Sequence, residues 1–150
     1  MRFVLPAFAK LNLSLRVTGR RPDGYHDLLS IFLRIPSGEA LRVEALPAGA
    51  EDRVEVLGMD LRLTGENVVA RALRLAREAG VRVPPLRVEV LKSLFPGAGL
   101  GGGSGNAAAL LQWLASKDAS GPWEEVARRT GAEGSGRGAL RGAGKPIGPP

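Results

Sequence analysis

The segment between residues 92 and 111 contains the residue types best suited to binding an anion. Glycine stands at positions 97, 99, 101, 102, 103 and 105, between an apolar run at 86–91 and a helix-like run at 106–116. Glycine permits positive φ angles and lets an anion approach the backbone closely. The N–H groups at the start of a helix form a positive concavity suited to phosphate. The segment predicts a phosphate-binding loop in preference to a flexible linker, which is rarely docked between an apolar strand and an Ala/Leu helix.

Three established types of glycine-rich phosphate loop each need a feature that this segment does not have. A P-loop needs Lys followed by Ser or Thr after its last glycine, whereas Ser104-Gly105 stands there without a lysine. A dinucleotide-binding fold needs a second strand ending in an acidic residue about 20 positions on, whereas this chain continues into a helix-like run at 123–129. A protein-kinase glycine loop joins two strands, whereas this loop opens a helix.

Several polar residues have a structural as well as a functional interpretation. Lys10 and Asn12 share one face of a predicted strand, because strand side chains repeat every two residues. Such a lysine normally points to solvent. His26, the only histidine, follows a turn at 20–24 and fits the start of an amphipathic strand. Lys92 fits a solvated strand end or a nucleotide contact, and Ser104 fits a helix N-cap, a phosphate contact or both.

Composition limits the possible functions. The chain has 150 residues, 44% of them hydrophobic, with no cysteine and a net charge of +6. No apolar run approaches the ~20 residues of a membrane span, and the N-terminus lacks a secretion signal, so we expect a cytoplasmic protein without a membrane partner. Opposite charges alternate along the predicted strands, as in Arg42-Val-Glu44, which is typical of a solvated face rather than a nucleic-acid interface. The mild positive charge suits small anionic substrates.

The elements that must position these residues follow from hydrophobic periodicity. Asn67 is a plausible helix cap and Gly80 a stop signal. The order of strands, helix, strand, glycine loop and two helices predicts an α+β domain. The predicted strands are 11–18, 28–35, 40–46, 53–57 with 61–63 as an extension, and 86–91, and the predicted helices are 67–79, 106–116 and 123–129.

The last 20 residues differ in character from the rest. Of residues 131–150, 15 are Gly, Ala, Pro or Arg, and Leu140 and Ile147 are the only large apolar residues. Such a composition buries too little surface to offset the entropy of ordering. We therefore expect a disordered tail at 134–150, which is either natural or the product of a reading-frame shift near residue 133.

Three motifs together resemble the 4-diphosphocytidyl-2-C-methyl-D-erythritol kinase family. They are Ala9-Lys-Leu-Asn-Leu13, Gly19-Arg-Arg-Pro-Asp-Gly-Tyr-His26 and Gly97-Ala-Gly-Leu-Gly-Gly-Gly-Ser104. The glycine loop alone resembles the wider superfamily of galactokinase, homoserine kinase, mevalonate kinase and phosphomevalonate kinase. The N-terminal motifs narrow the resemblance to the family named above. A segment at 65–73 resembles the family's Asn-led helix. The resemblance extends over residues 6–133.

The resemblance implies a fold and an activity. Residues 1–133 would form the incomplete N-terminal ATP-binding domain of the superfamily, with a mixed sheet packed in two layers against helices, and the C-terminal substrate domain would be absent. The activity would be ATP-dependent phosphorylation of a hydroxyl of the cytidyl diphosphate substrate, in non-mevalonate isoprenoid biosynthesis. Alternatives are another small-molecule kinase of the superfamily, of mevalonate or homoserine type, and a non-catalytic RNA-binding domain. No prediction of oligomeric state follows.

The resemblance also implies site residues. Mg²⁺ would bridge the ATP phosphates, and the backbone N–H groups of the loop would hold them. Asn67 and Lys92 are possible further nucleotide contacts. The loop residues that would bind ATP are Phe95, Pro96, Gly97, Ala98, Gly99, Leu100, Gly101, Gly102, Gly103, Ser104 and Gly105.

Catalysis and substrate binding would use residues outside the loop. Lys10 would be the catalytic lysine that stabilises developing negative charge. Asn12 would hydrogen-bond the sugar alcohol or a phosphate, and Tyr25 and His26 would hold the cytosine. Glu133 stands at the register of the family's catalytic Asp, but its apolar flank is missing, and Gly105 replaces a second serine. We therefore expect this chain to be impaired as a kinase by truncation.

Overall fold

The computed structural model describes residues 1–22, 24, 26–58, 65–95 and 97–132. Tyr25, Pro96 and Glu133, the 61–63 extension and the 134–150 tail named above lie outside these residues. Within them the chain forms four strands and three helices. These are β1 (Arg2–Arg20), β2 (His26–Ala45), β3 (Arg53–Leu57), α1 (Val68–Glu78), β4 (Leu86–Leu91), α2 (Gly102–Lys117) and α3 (Trp123–Thr130).

The four strands form one mixed sheet in the order β1-β2-β4-β3. β1 and β2 are an antiparallel hairpin, and β4 pairs with β2 in the antiparallel sense. β3 pairs with β4 in the parallel sense, and α1 lies between them in sequence, as parallel neighbours require a crossover. This order brings the ends of β3 and β4 together with the starts of α1 and α2, where the glycine loop lies.

The hydrophobic core lies between one face of the sheet and the helices. In β4 the residues alternate between buried (Leu86, Val88, Val90) and partly exposed, as expected for a strand with one buried face. The other face of the sheet pairs opposite charges, as in Arg42–Glu89 and Arg2–Glu44. The predicted two-layer α+β fold with a mixed sheet is confirmed. No helix among the described residues is long and apolar enough to span a membrane.

The hairpin differs from its prediction. The strands predicted at 28–35 and 40–46 are one strand, because the break at Pro36 and Gly38 is a bulge within continuous pairing. Between the pairs Pro6–Ala40 and Phe8–Pro36, one residue of β1 lies opposite three of β2. Gly38 takes a φ of +73° there, which glycine adopts without strain.

The outer part of the hairpin is exposed on both faces. The alternation of apolar and polar residues at 11–18 predicts a strand with one buried face, and this prediction is wrong for the described structure. Leu13 and Leu15 are 61% and 59% exposed, and Ile31 on the neighbouring strand is 63% exposed. The described helices pack over the other end of the sheet, so the alternating apolar residues here have nothing to pack against.

The helices follow the predictions closely, with one exception. Asn67 caps α1, accepting a hydrogen bond at Oδ1 from the Val69 N–H at 2.8 Å, and the helix ends at Glu78, one residue before the predicted end. α2 begins at Gly102 rather than at residue 106 and so includes three glycines of the loop. Its N-cap is Gly101, so the interpretation of Ser104 as the N-cap is wrong.

Candidate functional site

The glycine loop connects the end of β4 to the start of α2. Gly97, Gly99 and Gly101 have φ angles of +82°, +75° and +64°, a conformation that other L-residues rarely adopt. The loop is joined to β1 by a hydrogen bond of 2.9 Å from the Lys10 N–H to the Leu100 carbonyl oxygen. The end of the loop at Leu100 is therefore held against the strand that carries Lys10.

The first turn of α2 presents unsatisfied N–H groups. The first N–H groups of any helix have no partner within the helix. In α2 the N-cap residue, Gly101, has no side chain to cap them, and none of the residues of the first turn is acidic. The helix dipole adds a partial positive charge at the same point. This end of α2, at Gly102, Gly103 and Ser104, is suited to binding an anion such as phosphate.

Two glycines of α2 allow close packing at this point. A Cβ on Gly102 would lie 2.9 Å from Lys92 Nζ, and a Cβ on Gly105 would lie 2.2 Å from the Phe8 carbonyl oxygen. Gly105 is buried and its N–H binds the Gly101 carbonyl oxygen at 2.8 Å. Gly105 therefore contributes close packing of α2 on β1 rather than an available N–H.

Lys10 lies beside the end of the loop. Its side chain is half-buried, and its Cγ and Cε lie 3.2 and 3.3 Å from the position of a Cβ on Gly101. None of the ion pairs between described residues involves Lys10. Its ammonium group is thus available to an anion at the N-terminus of α2.

Lys92 takes part in a buried ion pair. Its Nζ lies 2.7 Å from Glu39 Oε1, and the side chains are 8% and 1% exposed. The backbone of Lys92 continues the sheet, since its N–H binds the Leu57 carbonyl oxygen at 2.8 Å. The interpretation of Lys92 as a solvated strand end is therefore wrong.

A cleft of about 230 Å³ lies next to the loop, between the ends of β3 and β4 and the starts of α1 and α2. Its volume is a little below the ~300 Å³ at which most small-ligand pockets begin, so it suits part of a ligand, such as a nucleobase. Asn67 and Lys92 both line it, as do valines of β3, β4 and α1. Two predicted nucleotide contacts are thus brought together.

Asn106 also lines this cleft. It is 1% exposed, and its Oδ1 has no hydrogen-bond partner among the described residues. A buried polar atom without a partner is costly, so a ligand donor in the cleft would satisfy it.

The same part of the chain matches a known protein family. Residues 67–139 match the GHMP kinases N terminal domain, a segment that includes the cap of α1, the glycine loop and all of α2. The second half of the chain is therefore similar to the N-terminal domain of GHMP kinases.

Curated relatives agree with this assignment. A 4-diphosphocytidyl-2-C-methyl-D-erythritol kinase from Porphyromonas gingivalis is 41% identical over 105 residues, covering 69% of this chain and 38% of the relative. A chloroplastic 4-diphosphocytidyl-2-C-methyl-D-erythritol kinase from Arabidopsis thaliana is 37% identical over 108 residues, covering 72% of this chain and 28% of the relative. The chain thus spans well under half the length of these relatives.

Solved structures support the same GHMP kinase fold. The crystal structure of a 4-(cytidine 5'-diphospho)-2C-methyl-D-erythritol kinase matches with a TM-score of 0.65 and 33% identity, covering 90% of this chain and 48% of that one. A mevalonate diphosphate decarboxylase from Trypanosoma brucei matches with a TM-score of 0.55 at 16% identity, which supports the fold alone.

The predicted substrate-side residues lie along the hairpin of β1 and β2. Lys10 and Asn12 share a strand face, because the register is continuous from Lys10–Arg34 to Asn12–Phe32. Asn12 is exposed and accepts a hydrogen bond from Ser30 Oγ at 3.3 Å. His26 begins β2, eight residues before Arg34, the partner of Lys10, which is roughly 26 Å along an extended strand. Lys10 thus lies near the middle of the hairpin and His26 at its turn end, so a molecule that contacts both would have to be extended.

The described residues contain no group of three or more His, Cys, Asp or Glu side chains that could hold a metal ion.

Sequence reasoning did not identify Glu39 or Asn106. Glu39 looks like one more alternating charge on a strand, and only the bulge at Gly38 shows that it points inward. Asn106 carried a weak signal, because asparagine is unfavourable beside a run of Ala and Leu in a helix.

Proposed function

We propose that this chain binds ATP and transfers its terminal phosphoryl group to a hydroxyl of 4-diphosphocytidyl-2-C-methyl-D-erythritol. The observation that carries the proposal is the start of α2, where the first N–H groups of the helix lack a side-chain cap from Gly101 and lie beside Lys10. Phosphoryl transfer depends mainly on positioning and on neutralising charge, and this arrangement offers both. The names of the curated relatives support the substrate.

Each part of ATP has a candidate partner. The first-turn N–H groups of α2 would hold the phosphates. Lys10 would stabilise negative charge on the attacking hydroxyl oxygen or on the transferred phosphoryl group. The adjacent cleft would take the base, with Lys92, Asn67 and Asn106 as its polar residues. Mg²⁺ would enter with the phosphates and neutralise their charge.

The cytidyl part of the substrate would lie along the hairpin. His26 at its far end is the candidate hydrogen-bond partner for cytosine, and Asn12 lies between it and Lys10. The expectations that nucleic acid is not a ligand and that the protein is cytoplasmic stay predictions, and the Arabidopsis relative is named as chloroplastic.

The proposal is tested by a matched pair of glycine variants. Gly99 in the loop and Gly49 in a distant turn have φ angles of +75° and +88°, and a Cβ on either would have no neighbour within 4 Å. Valine at each position imposes the same kind of backbone strain. Calorimetry with ATP should show wild-type affinity for Gly49→Val and a loss of binding for Gly99→Val. Equal affinity in both variants would contradict the loop assignment.

We also propose that the 150-residue polypeptide, assayed alone, binds ATP but turns it over slowly. The register of the family's catalytic Asp holds Glu133, which is followed by Gly-Ser-Gly rather than by apolar residues that would fix its position. A misplacement of ~1 Å can cost about a hundredfold in rate. A coupled assay of ADP release with the cytidyl substrate measures this, and rapid substrate-dependent turnover would refute it.

A further inference from the structure

Glu39 is a buried carboxylate that the proposed reaction does not use. It is 3% exposed, as a whole residue, and lies in the three-residue bulge of β2 opposite Ala7. Bulges re-aim side chains, and are common next to active sites. The register that pairs Ala40 with Leu91 places the next residues, Glu39 and Lys92, side by side. The bulge therefore directs the carboxylate toward the end of β4.

One oxygen of Glu39 holds three donors from the start of the glycine loop. Oε1 accepts from Lys92 Nζ at 2.7 Å, from the Leu94 N–H at 3.0 Å and from the Ser93 N–H at 3.3 Å. The carboxylate thus fixes both an ammonium group and the backbone direction in which the chain leaves β4.

The ion pair between Glu39 and Lys92 lies directly against Gly102, the first residue of α2. The position of a Cβ on Gly102 is 2.9 Å from Lys92 Nζ and 3.2 Å from Glu39 Oε2. Lys92 also lines the cleft beside the loop, so the position of its side chain affects what that cleft can bind. Lysine has a long flexible side chain, so without a fixed partner its ammonium would sample many positions.

We propose that Glu39 is a positioning residue of the nucleotide site, which holds Lys92 and the first residues of the glycine loop in the arrangement that binds the ligand. This inference rests on the proposed function, because it assigns Glu39 a role in ATP binding. Glu39 acts through Lys92, Ser93 and Leu94 and does not touch the ligand.

The variants are chosen to separate positioning from folding. Glu39→Gln keeps the size of the side chain and removes its charge, and Glu39→Asp keeps the charge but withdraws it by one methylene. Glu44→Gln is the control, since Glu44 lies on the same strand and its ion pair with Arg2 is solvent-exposed. All are compared at a temperature where far-UV circular dichroism shows them folded.

The first measurement is calorimetric affinity for ATP and for inorganic tripolyphosphate, which probes the loop without a base. We expect Glu39→Gln to weaken both by about tenfold or more, the effect of losing hydrogen bonds to a charged group. Glu39→Asp should recover part of the loss, and Glu44→Gln should match the wild type. Wild-type affinity in folded Glu39→Gln would overturn the proposal.

The second measurement needs no ligand and is NMR of the Lys92 side-chain ammonium and of the Ser93 and Leu94 amides. In the wild type the buried ammonium should exchange slowly with solvent, and in Glu39→Gln its signal should broaden or vanish while both amides shift. Unchanged signals would overturn the proposal. If Glu39→Gln does not fold, Glu39→Asp decides by the same two measurements.

The two proposals fail in different ways. If the wild type binds neither ATP nor tripolyphosphate, the proposed function fails and Glu39 has no nucleotide to position, whatever the NMR signals show. If the wild type binds both and the Glu39 variants bind equally well, only the positioning role fails.

Discussion

Gly105 of α2 lies directly against the main chain of Phe8 in β1. A Cβ on Gly105 would fall 2.2 Å from the Phe8 carbonyl oxygen, a distance far shorter than Cβ contacts in proteins allow. The same strand donates the Lys10 N–H to the Leu100 carbonyl oxygen of the loop. The absence of a side chain at Gly105 therefore sets how closely the anion-binding end of α2 approaches the strand that carries Lys10.

We expect Gly105→Ala to destabilise the domain, because α2 must move away from β1 to make room for the methyl group. Overpacking a tight contact typically costs about 1–3 kcal/mol. Gly103→Ala is the matched control, since its Cβ would meet only Val68 Cγ2 at 3.8 Å. Alanine in a helix is better than glycine by up to about 1 kcal/mol, so this variant should be as stable as the wild type or more so. Urea unfolding of both variants and of the wild type gives the test. Equal stability of Gly105→Ala and the wild type would contradict the packing role of Gly105.

The start of α2 also shows why local sequence predicted this region only in part. Glycine disfavours helix, so the sequence predicts a loop at residues 102–105 and a helix only from residue 106. In the structure the helix starts at Gly102, and glycine is needed at 102 and 105 because Lys92, Glu39 and Phe8 occupy the space that side chains there would fill. Those neighbours are 10 to almost 100 residues away, beyond the reach of a local pattern.

The site was predictable where its signal is local. The glycine spacing, the cap at Asn67 and the strand end at Lys92 can be read from neighbouring residues. The roles of Glu39 and Asn106 depend on burial and on partners from other elements, which periodicity does not report. The exposed hairpin is the converse case, since alternation in 11–18 predicts a buried face but cannot say which element covers it.

Asp52 should make stability depend on pH. Burial alone would raise its pKa, but hydrogen bonds from Arg77 and from the Leu86 N–H, with the Arg77 charge, outweigh burial and lower the pKa. A carboxyl whose pKa is lower in the folded state stabilises the fold above its unfolded pKa of about 4. That contribution is lost as the pH falls through the folded value.

We therefore expect Asp52→Asn to lower the free energy of unfolding by about 1–2 kcal/mol at pH 7, with a smaller difference from wild type near pH 3. Asp27→Asn in the exposed hairpin is the control. Denaturant unfolding at several pH values measures both. A difference for Asp52→Asn that stays constant with pH would show that the ion pair with Arg77 does not stabilise the fold.

The exposed part of the hairpin should make the 150-residue chain prone to self-association. Leu13 and Leu15 are more than half exposed within a larger apolar surface, and such surfaces favour association. We expect Leu13→Thr with Leu15→Thr to reduce self-association in sedimentation experiments, since threonine suits a strand. The free energy of unfolding should change by no more than about 0.5 kcal/mol. Leu41→Ala, in the core, should instead cost about 2–5 kcal/mol. A large loss of stability in the double variant would show that this surface is covered.

Lys10 offers the most direct test of charge at the candidate phosphate site. Lys10→Met retains the unbranched stem that packs beside Gly101 and removes only the ammonium group. Because the stem is kept, the free energy of unfolding should stay within about 0.5 kcal/mol of the wild type. We expect affinity for ATP to fall at low salt, with a smaller difference from wild type at high salt, where screening weakens the Lys10 contribution. Lys117→Met is the control, because Lys117 lies at the other end of α2 with its ammonium over the Phe3 ring. Calorimetry across a salt series measures all three proteins. If Lys10→Met binds ATP as the wild type does at low salt, Lys10 has no part in holding the phosphates, and its role must be sought in the transfer step alone.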